Sequence, residues 1–106
     1  MSFSFFRQSA KKVGRSSYIY FRQTDELYKR EKNRYESINN PSRVDYSNSL
    51  KKLEQISEGY KHALPLLEKT HKFNPKDKTI ISCLSVAYRR LKMDQKADEM
   101  KSLLND

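Results

Sequence analysis

Apolar side chains recur at helical spacing along most of the chain, and short polar breaks divide them. Phe21, Tyr28 and Tyr35 fall seven residues apart, with Thr24, Leu27, Glu31 and Ile38 at the neighbouring offsets. No Gly or Pro lies between Ser17 and Ile38, so the pattern predicts an amphipathic helix over about 17–38. Its opposite face carries Lys29, Arg30, Lys32 and Asn33. Asn39-Asn40-Pro41-Ser42 then ends it, because Asn tolerates the left-handed conformation and Pro cannot continue a helix. Ser42 and Asp45 are spaced for a capping box at the start of the next element.

Tyr46, Leu50, Leu53, Ile56 (or Ser57), Tyr60, Ala63 (or Leu64) and Leu67 step by three or four and predict a second helix over about 43–73. Gly59 costs about 1 kcal/mol relative to Ala inside a helix, and Pro65 removes the bond to the carbonyl of Lys61. One kinked helix is the expectation, with a break near Gly59 as the alternative. Asn74-Pro75-Lys76-Asp77 is the next break. A third helix over about 77–91 presents Ile80, Ile81, Leu84, Ala87, Tyr88 and Leu91 on one face. After Lys92-Met93, Asp94 can cap a fourth helix over about 95–104, with Ala97, Met100, Leu103 and Leu104 inward. Short connections place neighbouring helices antiparallel, so the expected fold is all-α, an antiparallel array of about four helices.

Composition narrows the class further. At 106 residues one domain is expected. No apolar run is long enough to span a membrane. One cysteine excludes a disulfide framework and a multi-cysteine metal site, and two glycines exclude a Gly-rich phosphate loop. The net charge is +9, from 22 basic and 13 acidic residues. The first 24 residues hold Arg7, Lys11, Lys12, Arg15 and Arg22 and no acid. Residues 1–16 read as a basic tail and 17–106 as the helical domain. Phe3, Phe5 and Phe6 supply no secretory h-region, which points to a cytoplasmic chain, while the Arg- and Ser-rich opening fits a mitochondrial-type presequence loosely.

The chain repeats itself at an offset of 34, with Leu50 onto Leu84 and Ala63 onto Ala97. Thirty-four residues is a helix-turn-helix repeat period. Ile81, Leu84, Ser85 and Tyr88 follow a first-helix pattern; Ala63 and Leu67, then Pro75, follow a second-helix end. With Ala63 to Lys69, Asn74 to Asp77 and Tyr88 to Met93, these residues resemble the C-terminal repeats of tetratricopeptide-repeat (TPR) proteins of the type common in Bacteroidetes. The resemblance runs from Asp25 to Leu104. Arg30, Glu31, Lys32 and Lys101 depart from it, and residues 1–24 lie outside it. It implies a right-handed solenoid fragment that binds other proteins. It also implies that the first helix of each repeat lines a groove, which would place Thr79, Ser82, Val86, Arg89 and Arg90 there to grip an acidic peptide or a terminal carboxylate.

Roughly two repeats are present, whereas solenoids usually need three. Tyr18, Tyr20 and Phe21 are therefore expected at an exposed edge that pairs with a second copy or a partner. No catalytic, cofactor or metal site is expected. His62 and His71 lack partners at ligand spacing, and Cys83 has no base near it in sequence. Glu54/Glu58 and Asp98/Glu99 read as solvated helix surface. The expected function is a noncatalytic protein–protein interaction or scaffold module. The alternative is a small basic nucleic-acid-binding protein using its N-terminal region, where Tyr18 and Tyr20 sit beside Arg15 and Arg22.

Overall fold

The structure, a computed structural model, describes residues 2–105, with side-chain surroundings from Ser16 onward. It consists of α1 (Ser2–Glu36), α2 (Arg43–Phe73), α3 (Lys78–Arg90) and α4 (Asp94–Leu104), and no strand occurs among the described residues. The expected all-α array is present. α1 starts at Ser2, far upstream of residue 17. The added stretch holds no Pro and one Gly, so nothing in its covalent structure interrupts a helix.

α1 and α2 pack antiparallel along a seam that repeats every seven residues. α1 contributes Ser17, Phe21, Thr24, Tyr28, Glu31 and Tyr35; α2 contributes Ser49, Leu53, Ile56, Tyr60 and Ala63. Alternating steps of three and four keep one stripe of each helix facing its neighbour, as in a coiled coil. The register is fixed by aromatic pairs. Tyr35 and Tyr46 have ring centroids 6.0 Å apart, and Phe21 and Tyr60 are 5.7 Å apart. Leu27 and Leu50, expected on the inward stripes, lie one position off this seam and are 51% and 42% exposed. Tyr46 packs on Tyr35 beside the connection between the two helices and stays 53% exposed.

The capping box at the start of α2 is formed. Asp45 N donates to Ser42 Oγ at 3.1 Å, and Ser42 N donates to Asp45 Oδ2 at 3.0 Å. α2 then runs unbroken through Gly59 and Pro65. Gly59 faces Thr24 of α1: a Cβ there would overlap Thr24 Oγ1 and lie 2.8 Å from its Cγ2. Asp77 caps α3 by accepting from Thr79 N at 3.0 Å. Asp94 was expected to cap α4, but it is the first residue inside the helix and Met93 stands at the cap without a side-chain bond. Lys92, at φ 62°, lets Met93 N donate to Tyr88 O at 2.8 Å and so closes α3 one residue earlier.

The core gathers at one half of the hairpin. Tyr60, Ala63 and Leu67 of α2 meet Ile80, Cys83, Leu84, Ala87 and Tyr88 of α3, with Phe21 of α1 and Ala97 of α4. Ala63, Ala87 and Ala97 are fully buried, and these small side chains let the helices approach closely. Met100 packs against this core from its edge, while Leu103, expected inward, is 42% exposed because α4 has no further helix beside it among the described residues. The short α3–α4 pair covers only part of the long hairpin. The molecule is consequently elongated, 61 × 26 × 17 Å, with a radius of gyration of 16.3 Å against about 13 Å for a compact chain of this length.

Candidate interaction surface

The end of α3 is where three helices exchange polar contacts. Arg90 lays its guanidinium over the Tyr28 ring of α1, with Cζ 4.2 Å from the centroid, a favourable cation–π arrangement. Beside it the Tyr60 hydroxyl of α2 donates to Asp25 Oδ1 at 2.8 Å, and Asp25 pairs with Lys29 at 3.1 Å. Burial, reinforced by Asp25, holds the Tyr60 hydroxyl well above its ordinary pKa, and Arg90 pulls in the opposite direction. Tyr60 therefore stays a neutral donor. Arg90 Nε is buried and finds no partner among the described residues.

This junction forms one wall of an open cleft of about 360 Å³. Tyr28, Arg90, Leu91 and Lys92 line that side; Leu50, Leu53, Glu54, Ser57, Glu58 and Lys61 of α2 line the other. Glu58 and Lys61 pair with each other at 3.0 Å. The cleft thus offers leucine surface, a stacked guanidinium and Lys92, with Glu54 opposite. Sequence reasoning placed Arg90 here but missed Leu50, Leu53 and Tyr28.

Arg89 is committed elsewhere. Its Nη1 lies 3.2 Å from Asp94 Oδ1 and its Nη2 lies 2.7 Å from Asp98 Oδ1, so two carboxylates of α4 hold it. Asp98 first, then Asp94, keeps its pKa raised. Val86, Arg89 and Arg90 share a shallow hollow of about 300 Å³ with Ser85, Lys101 and Leu104. Thr79 and Ser82 are exposed nearer the start of α3 and line neither space. The five α3 residues therefore do not converge on one ligand position.

The expected exposed edge also divides. Tyr18 and Tyr20 are 37% and 43% exposed, but Phe21 is buried against Tyr60 because it lies on the α1–α2 seam. Tyr20 and Leu27 line a shallow groove of about 440 Å³ with Ile56 and Gly59, on the opposite side of the hairpin from the Arg90 cleft.

Cys83 is buried, and burial pushes its thiol up to about 11, leaving it protonated at neutral pH. Among the described residues no three His, Cys, Asp or Glu side chains gather as metal ligands, and no helix is long and apolar enough to cross a membrane. Comparison with protein-family models, curated proteins and solved structures gives no significant match to this chain.

Proposed function

We propose that the chain is a noncatalytic protein-interaction module of TPR type that takes an acidic segment of a partner protein in the Arg90 cleft. The observation that carries this reading is the state of Arg90: stacked on Tyr28, held at a cleft wall, with a buried Nε that no described residue satisfies. A buried donor without a partner costs roughly 1–3 kcal/mol, and more for a charged group. A carboxylate at the mouth of the cleft would pair with the exposed edge of the Arg90 guanidinium through a charge-assisted hydrogen bond. Lys92 adds a second positive charge, and Leu50 and Leu53 provide apolar anchors. Glu54 restricts an acidic ligand to the Arg90–Lys92 side. Two stacked helix pairs with an exposed inner flank are also what the repeat resemblance implies.

Selection of a random peptide library on the protein tests this. Enriched sequences should pair Asp or Glu with a Leu or Phe. Their affinity should fall at least tenfold in Leu50→Ser and in Lys92→Glu, both at exposed positions that leave the core intact. A library without acidic enrichment, or peptides indifferent to both substitutions, contradicts the reading.

A further inference from the structure

Two stretches of this chain carry most of its net positive charge. Residues 1–24 carry five basic residues and no acid, and residues 69–78 carry four lysines against Asp77 alone. The other 72 residues are nearly balanced, with 13 basic and 12 acidic. Eight of the nine net positive charges therefore belong to two stretches far apart in sequence.

The topology brings them together. α1 and α2 run antiparallel, in the register Tyr35–Tyr46, Glu31–Ser49 and Phe21–Tyr60. The N-terminal half of α1 and the last turns of α2 thus share one end of the 61 Å molecule, together with the turn into α3. Lys69, Lys72, Lys76 and Lys78 are exposed, and none has an ion pair among the described residues. The neighbouring acid, Asp77, is occupied in capping α3. Outside the two stretches Lys29, Arg34, Lys52, Lys61 and Arg89 have carboxylate partners, while Arg30, Lys32 and Lys51 have none among the described residues. In the middle of the lysines stands Phe73, 57% exposed at the end of α2.

We propose that this end docks on an anionic lipid surface, with Lys69, Lys72 and Lys76 facing the headgroups and Phe73 entering the interface. The charge arrangement calls for a polyanion. A lipid surface is favoured over a nucleic acid because within residues 69–78 the lysines surround a single exposed Phe, Phe73, at the end of α2. Single-strand binders instead present several aromatics along a groove, on which successive bases stack. The lysines contribute point charges, and an aromatic with neighbouring lysines is the composition of an interfacial contact.

The test is sedimentation of the full chain with vesicles of neutral phosphatidylcholine, with and without 30% phosphatidylserine. Binding is expected only to the anionic vesicles and should weaken with salt. The Lys69→Glu/Lys72→Glu/Lys76→Glu variant should lose at least about a hundredfold in affinity, from roughly fivefold per lysine near such a surface. Arg30→Glu/Lys32→Glu/Lys51→Glu makes the same change in net charge at the other end and should retain binding. Phe73→Ser should weaken vesicle binding at unchanged charge. Equal loss in both triple variants, no effect of Phe73→Ser, or tighter binding to a single-stranded oligonucleotide than to the vesicles each overturns the proposal.

Discussion

Glu31 shows how a single residue can look misplaced and still belong. It sits on the α1–α2 seam, 6% exposed. Arg34 donates to it at 2.7 Å, Ser49 approaches at 3.5 Å and Lys52 lies 3.9 Å away. The Arg34 hydrogen bond holds its carboxyl below the usual 4.5 against the opposing effect of burial. A depressed folded pKa contributes stability that is present above the unfolded value and is lost as the pH falls through the folded one. Thermal stability should therefore decline below about pH 4.5, and Glu31→Gln should flatten that decline. An unchanged pH profile of Tm in the variant would count against the ion pair. Lys92 is the complementary case, a β-carbon-bearing residue at φ 62°. Left-handed backbone costs such residues roughly 1–2 kcal/mol, so Lys92→Gly should stabilise the fold by about 1 kcal/mol. A lower denaturation midpoint would refute this.

At the scale of elements, the breaks and caps were legible because they depend on local chemistry. Asn40 at φ 55°, the Ser42–Asp45 box and the Asp77 cap all follow from residue type and position. The face of α3 was also readable, since its apolar residues outnumber the alternatives. The seam of the long hairpin was legible through Phe21, Thr24, Tyr28, Glu31, Tyr35, Leu53, Ile56, Tyr60 and Ala63, and was missed at Ser17 and Ser49. Hydrophobicity favours Leu27 and Leu50, yet the packed line runs through Ser17, Thr24, Glu31 and Ser49. Small and polar residues win there because two long helices approach closely, and a sequence shows which residues are small without showing what they face. Gly59 is the sharpest instance. Its helix-propensity cost of about 1 kcal/mol is accepted because Thr24 occupies the space of a side chain. Gly59→Ala should accordingly destabilise the fold by about 1–3 kcal/mol through overpacking, and Thr24→Ala should recover much of that loss in the double variant. Additive effects in the double-mutant cycle would mean that the two positions do not touch.

The whole molecule is a long hairpin braced at one half by a short one. Its candidate cleft lies where the brace ends, so the site is a consequence of unequal helix lengths. Arg90 was legible as a candidate because two arginines close α3. That Arg89 is neutralised by Asp94 and Asp98 was not, since the pairing crosses the turn into α4. The same topology gathers the lysines of residues 69–78 and the basic start of α1 at one end, away from the cleft mouth formed by Leu50 and Lys92. The interaction reading is tested most directly by mapping amide chemical shifts while an acidic, leucine-containing peptide is titrated into isotope-labelled protein. The account predicts changes concentrated on Leu50, Leu53 and Arg90 to Lys92. Changes confined to the Tyr20–Leu27 flank or to Thr79 and Ser82, or no saturable change at all, would contradict it.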